Sequence, residues 1–140
     1  MNWGGIVSKE ITKAFPDTII NAHSGKLPEY RGMNCIEWAV FNGDEIYGTI
    51  HYISEGIDTG DIIIEKKFSS PKIKGLDLTR KYFFKKVKDL IPLAISKLSD
   101  KKAINLTKNK GESKQWFVMH PRLKEITERR LVKRLKNKKY

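Results

Sequence analysis

Two hydrophobic periods organise the chain. From Thr18 to His23 the β-branched run Thr18-Ile19-Ile20 marks a buried strand. Side chains alternate along a strand, so Asn21 and His23 leave it on one face. Ser24-Gly25-Lys26-Leu27-Pro28 cannot prolong it, which sets the pair at the carboxyl edge, where an open α/β sheet usually keeps its ligand. Upstream, Ser8 caps a short helix running to Phe15, and Pro16-Asp17 stops it. Downstream, apolar positions 35, 36, 39 and 40 form a helical stripe within 33–42, closed by Gly43. Residues 46–53 read as a strand with Thr49 and His51 on one face and Ile50 and Tyr52 on the other. A second strand follows at Ile62-Ile63-Ile64-Glu65. The loop between them, 54–61, hangs off two paired strands and can bring Asp58 towards His23.

Over 76–98, Phe83, Val87, Leu90, Ile91, Ala94 and Leu98 recur at three or four with lysines between them. This predicts one long amphipathic helix, kinked at Pro92. Residues 101–114 lack an apolar period and read as a loose connection with a short strand near Ile104. Leu123, Ile126, Leu131 and Leu135 then stripe a terminal basic helix. Strand and helix patterns alternate up to Ile53 and a hairpin follows. The expected fold is therefore α/β, an incomplete sheet in a three-layer arrangement with the helices near 33–42 and 76–98 against it. The expected division is a core unit over 1–104 and a basic linker with its helix over 105–140.

Composition adds bounds. A length of 140 residues suits one small domain. Cys35 is the single cysteine, which excludes an internal disulfide and fits a reducing compartment. No stretch approaches the ~20 apolar residues of a membrane span, and the start MNWGGIVSKE is not a signal peptide. A cytoplasmic protein with no membrane partner is expected. Charge is split: residues 1–65 hold 4 Lys or Arg against 10 Asp or Glu, a net −6, and residues 66–140 hold 24 against 6, a net +18. That basic half is either a solvated lysine-rich surface or a contact for an anion, such as a nucleic acid or a phosphorylated substrate.

Four motifs occur in order: Asn21-Ala22-His23, Leu27-Pro28-Glu29-Tyr30-Arg31-Gly32, Gly48-Thr49-Ile50 and Asp58-Thr59-Gly60-Asp61. Together they resemble the folate-dependent formyltransferases over roughly residues 3–98. The resemblance implies a partial Rossmann-like three-layer sheet with Asn21, His23 and Asp58 catalytic. It implies a donor, 10-formyltetrahydrofolate, against Ile57, Asp58, Thr59, Gly60 and Asp61, an amine acceptor near Ser24, Gly25, Tyr30 and Arg31, and no metal. Residues 32–39 depart from the Gly-Ala-Ala-Pro pattern of methionyl-tRNA formyltransferases and look more like the phosphoribosylglycinamide and amino-sugar branches. The basic half would suit a tRNA, so that acceptor stays open. Lys26 stands where the family usually has leucine.

In that family the first residues here lie mid-domain, after several βα units, and this chain has no glycine-rich phosphate loop following a strand. The expectation is either a truncated or split formyltransferase, or one whose missing half comes from another chain. Alternatives are self-association through an unpaired sheet edge, or a non-catalytic remnant that binds a partner or nucleic acid.

The chemistry suits the residue types. Moving a one-carbon acyl group between amines passes through a tetrahedral species with a negative oxygen, which needs an aimed donor and a proton shuttle. Asn21 offers the donor. His23 can hold or release a proton, and Asp58 beside it would favour the imidazolium and position a water. Taken alone, a histidine after a strand is more often structural. His51, facing Thr49, reads as structural or as pocket lining, and His120 has no evident partner. Asp61 is expected to close its loop on backbone groups, Tyr30 and Arg31 either to clamp an anion or to pack the turn, and Trp38 to lie on a buried helix face.

Overall fold

A computed structural model describes residues 7–69, 72–100 and 105–137. In chain order the elements are α1 (Lys9–Ala14), β1 (Ile20–His23), β2 (Arg31–Gly32), α2 (Cys35–Asn42), β3 (Ile46–Tyr52), β4 (Ile62–Phe68), α3 (Leu76–Lys88), α4 (Ile91–Ser99), β5 (Gln115–Trp116) and α5 (Pro121–Asn137). The expected strand near Ile104 falls outside the described residues. No helix among them is long and apolar enough to cross a membrane.

Local chemistry sets most boundaries. Ser8 Oγ accepts the Ile11 N–H and caps α1. Gly43, at φ 83°, ends α2 in the left-handed conformation that glycine adopts without penalty. The 76–98 segment is two helices rather than one kinked helix. It breaks at Asp89 and Leu90, and Pro92 sits in the first turn of α4, where its missing N–H is no loss. On α5 the inward row is Leu123, Thr127, Leu131 and Leu135, with Thr127 and Leu131 buried and the two outer leucines half-buried. Ile126 is exposed instead, while Thr127 is fully buried and donates to Leu123 O at 2.7 Å. A strict spacing of four lies on one helix face, and that spacing excludes position 126.

The main sheet has the order β1-β3-β4 and is antiparallel throughout, so β1 is an edge strand among the described residues. In its register Asn21 opposes His51 and His23 opposes Thr49. Directly opposed residues share a face, so all four side chains project to one side. β2 pairs in parallel with β5 to form a second, two-stranded sheet. The loose connection expected over 101–114 does not hold for its described part: Thr107 bridges Ile62 with two backbone bonds of 2.9 Å, and Lys114 O accepts the Arg31 N–H. Trp38 is only half-buried, and its Nε1 donates to Phe117 O at 2.8 Å.

The core joins the sheet to α2, α3 and α5 through Ile36, Ile50, Ile63, Phe83, Val87 and Leu131. Gly48 is needed inside β3 because a Cβ there would meet Phe68 and Val87 side-chain carbons at 2.7 Å. Phe83 is fully enclosed, whereas Leu78 on the same helix is 57% exposed. Phe83→Ala should therefore cost about 3–5 kcal/mol and Leu78→Ala no more than about 0.5 kcal/mol, as read by urea unfolding. Equal effects would contradict this packing.

Candidate active site

The Asp58 carboxylate gathers the chemistry-bearing side chains. The β1/β3 register places Asn21 against His51, and Asn21 Nδ2 lies 3.2 Å from His51 Nε2 and 3.3 Å from Asp58 Oδ1. His51 Nε2 is itself 3.4 Å from Asp58 Oδ1. On the other oxygen, the Gly32 N–H donates to Asp58 Oδ2 at 2.8 Å, and His23 Nδ1 stands 3.5 Å away. Two strands, the turn after β1 and the β3–β4 loop thus meet on a side chain only 13% exposed.

Backbone geometry makes that meeting sterically exact in three places. Asp58 itself is left-handed at φ 49°, a conformation aspartate tolerates better than most residues. A Cβ on Gly60 would sit 1.8 Å from Tyr52 O, and one on Gly25 would sit 2.8 Å from His23 Nε2. Gly32, at φ 96°, lies so close to Trp116 O that a Cβ would approach it to 2.2 Å.

Proton placement follows from the acceptors. Tyr30 O can only accept, so His23 Nε2 carries a proton and donates to it at 2.6 Å. The ring exchanges its second proton at Nδ1, facing Asp58. Burial lowers the His23 pKa from its ordinary value, opposed by Asp58 and the Tyr30 carbonyl. Likewise Tyr52 O fixes a proton on His51 Nδ1 at 2.7 Å. For Asp58, burial alone would raise the carboxyl, yet the neighbouring His51 and His23 rings and the Gly32 N–H bring it down to about 2. Burial and the nearby Asp58 push the Cys35 thiol well up, which removes it as a nucleophile.

The formyl transferase family model matches residues 1–92. The chain belongs to this family. Among its relatives is the methionyl-tRNA formyltransferase of Thermodesulfovibrio yellowstonii, 44% identical over 68 residues, which are 48% of this chain and 22% of the relative. A formyltransferase from Anoxybacillus kamchatkensis, solved with a UDP-linked formamido sugar and tetrahydrofolate, shares the fold at TM-score 0.67 and 22% identity, over 81% of this chain and 60% of its own. Phosphoribosylglycinamide formyltransferase from Bacillus halodurans aligns at 28% identity and TM-score 0.63, over 73% of this chain and 53% of its own. This formyl transferase chain therefore spans little more than half the length of the solved relatives and less of the curated one. The mixed α/β Rossmann-like fold expected from the sequence is the fold observed.

The remaining expected site residues divide. Gly25 lies under the His23 ring and its carbonyl accepts from Thr49 Oγ1 at 2.6 Å. Ser24 is adjacent and half-buried. Tyr30 contributes its carbonyl to His23, but its ring stacks on Trp116 and its hydroxyl bonds Asp44 and Asn42, away from Asp58. Burial and the Asp44 bond raise that hydroxyl to about 12. Arg31 reaches Ser113 Oγ at 3.1 Å and Asn109 at 3.3 Å, so it secures the later chain.

On the loop, Ile57 is 40% exposed, Thr59 Oγ1 bonds Ser54 Oγ, and the Asp61 carboxylate pairs with Lys108 Nζ at 2.6 Å. The backbone closure expected of the Asp61 side chain is made by its own carbonyl, which accepts the Tyr52 N–H at 3.0 Å. His120 Nδ1 accepts the Arg122 N–H at 3.2 Å. Sequence reasoning missed Asn109, whose Nδ2 donates to Asp58 O and Gly60 O. It also undervalued His51, whose place beside Asn21 depends on strand register.

Chemically, the arrangement holds a rigid buried carboxylate beside an imidazole whose exchangeable proton site faces it. Two clefts open nearby on the surface, one of about 540 Å³ along Lys26, Leu27, Ile62, Lys97 and Lys108 and one of about 250 Å³ along Glu29, Tyr30 and Asp44. Neither reaches Asn21, His23 or Asp58. Among the described residues, no group of three or more His, Cys, Asp or Glu side chains is arranged to hold a metal ion.

Both site groups lose stability towards acid. Asp58, lowered from 3.8 to about 2, contributes stability that is full above 3.8 and fades as pH falls through about 2. That window is worth about 2 kcal/mol. His23, lowered from 6.5, acts in the same direction from below 6.5, because the unfolded chain takes up the proton first. Calorimetric Tm should therefore fall more steeply with acid in the wild type than in Asp58→Asn. Parallel acid limbs would contradict the charged, bonded Asp58.

Proposed function

We propose that this chain carries the transfer centre of an N-formyltransferase, moving a formyl group from 10-formyltetrahydrofolate to an amine. The observation that carries the reading is the meeting of Asn21, His23 and His51 on the Asp58 carboxylate. The β3–β4 loop suits the donor's flat ring: Ile57 presents an exposed apolar side chain beside Asp58, and Gly56 is likewise exposed. Residues 57–61 would hold the donor there. When bound, it supplies the formyl carbon.

The chain's own residues supply the rest. Asn21 Nδ2, held between His51 Nε2 and Asp58 Oδ1 at 3.2 and 3.3 Å, is the donor that meets the developing negative oxygen, exchanging one of these bonds for it. His23 Nδ1 takes up and returns the proton shed by the attacking amine, directly or through a water oriented by Asp58. Ser24, half-buried beside His23, would offer the acceptor a side-chain contact. A small amine of the phosphoribosylglycinamide or amino-sugar type is the reading favoured by residues 32–39.

A tRNA acceptor is the second reading, favoured by two observations. The sequence relative named above is a methionyl-tRNA formyltransferase, and residues 66–140 carry a net +18. Such binding would weaken steeply with salt.

The outer edge of β1, unpaired among the described residues, has room for further strands of a transferase domain. Without them substrate positioning is poor, and positioning can supply ~7–11 kcal/mol. Residues 1–140 tested by themselves should transfer formyl groups very slowly, and a fragment that adds strands to this edge should restore the rate. In the restored system His23→Ala should lower kcat by about 10²–10⁴. Labelled formyl transfer to glycinamide ribonucleotide, an amino sugar nucleotide and methionyl-tRNA separates the acceptors. Restored activity indifferent to His23→Ala would sink the reading.

A further inference from the structure

We propose that Asn109 is a positioning residue of the transfer centre, a side-chain strut from the basic half of the chain that holds the Asp58 loop in shape. Asn109 is 6% exposed. Its Nδ2 donates to Asp58 O at 2.8 Å and to Gly60 O at 3.0 Å. Its Oδ1 and its main-chain oxygen each accept from Arg31 Nη2 at 3.3 Å. One amide thereby ties two carbonyls of the loop to the turn that presents the Gly32 N–H to Asp58 Oδ2.

The loop has a physical need for such a strut. Asp58 is left-handed, and the nearby carbonyls of Asp58 and Gly60 repel unless a donor lies between them. The donor is itself fixed from both sides. Thr107 is bridged to Ile62, Lys108 is paired with Asp61, and β5 is laid along β2. Removing it would leave two carbonyls without their partner and free the loop to move Asp58 off its four contacts.

The inference rests on Asp58 belonging to the transfer centre, but its test reads the position of the carboxylate. A chain with no transferase activity would sink the functional reading and leave this one standing. The reporters are the Asn21 side-chain amide and the Gly32 backbone amide, which meet opposite oxygens of Asp58 and do not touch Asn109. In Asn109→Ala and Asn109→Asp at neutral pH, both NMR signals should lose their wild-type shifts, and the Gly32 N–H should exchange with solvent at least ~10-fold faster while β3 amides stay protected. Ser113→Ala, which removes only an exposed Arg31 contact, should leave both signals in place.

A folded Asn109→Ala in which either reporter keeps its wild-type shift and exchange rate would overturn the proposal. Should that variant fail to fold, the wild type decides. The Asn109 side-chain protons should exchange at least ~10-fold more slowly than those of the exposed Asn105, and equal rates would overturn it.

Discussion

A buried carboxylate must find its compensation inside the protein, and Asp58 imposes that requirement on most of the fold. Taken out of water without partners it would be strongly disfavoured. Instead its two oxygens face Asn21, His51, His23 and the Gly32 N–H. Those groups come from β1, β3 and β2, so the charge can be accommodated only if the β1/β3 register, the placement of β2 and the loop are all correct together. Removing one partner of such a network costs more than the bond itself, because the remaining charge stays buried. The glycines at 25, 32 and 60 belong to the same constraint. Each stands where a Cβ would strike backbone or the His23 ring, and each lets two segments come as close as the carboxylate requires.

The parts legible in the sequence are those governed by local rules. Alternation along 18–23 put Asn21 and His23 on one face, and tight glycine-bounded chemistry put Asp58 on a loop between paired strands. What stayed hidden depends on pairing between distant segments. His51 could be assigned the face of Thr49, but only the antiparallel register sets it opposite Asn21. Asn109 lies where no apolar period exists, and its order comes from backbone bonds to β4 and the β2 turn. Tyr30 and Arg31 have the chemistry of an anion clamp. Their geometry instead serves Trp116, Asp44, Asn109 and Ser113, partners more than ten residues away. Pro92 was legible as a disruption, but whether it kinks a helix or opens a new one turns on the few residues before it.

Part of the basic half also has two physically different roles within the fold. Some of the basic half is used inside the fold: Lys108 pairs with Asp61, Arg80 with the buried Glu37, and Arg130 and Arg134 donate to the carbonyls of Phe41 and Asp44. Most exposed pairs of this kind contribute little. Arg80 differs because its partner Glu37 is 2% exposed and would otherwise be a buried charge. A second share sits at helix carboxyl ends, with Lys85, Lys86 and Lys88 closing α3 and Arg134 and Lys136 near the end of α5, where cations complement the helix dipole. Neither share points to an anionic partner. Any argument for a tRNA contact must therefore rest on cations outside both sets, such as the exposed Arg122, Arg129 and Lys133 of α5. Eight of the 24 Lys and Arg over residues 66–140 fall in the two sets, so most of the basic charge lies outside them.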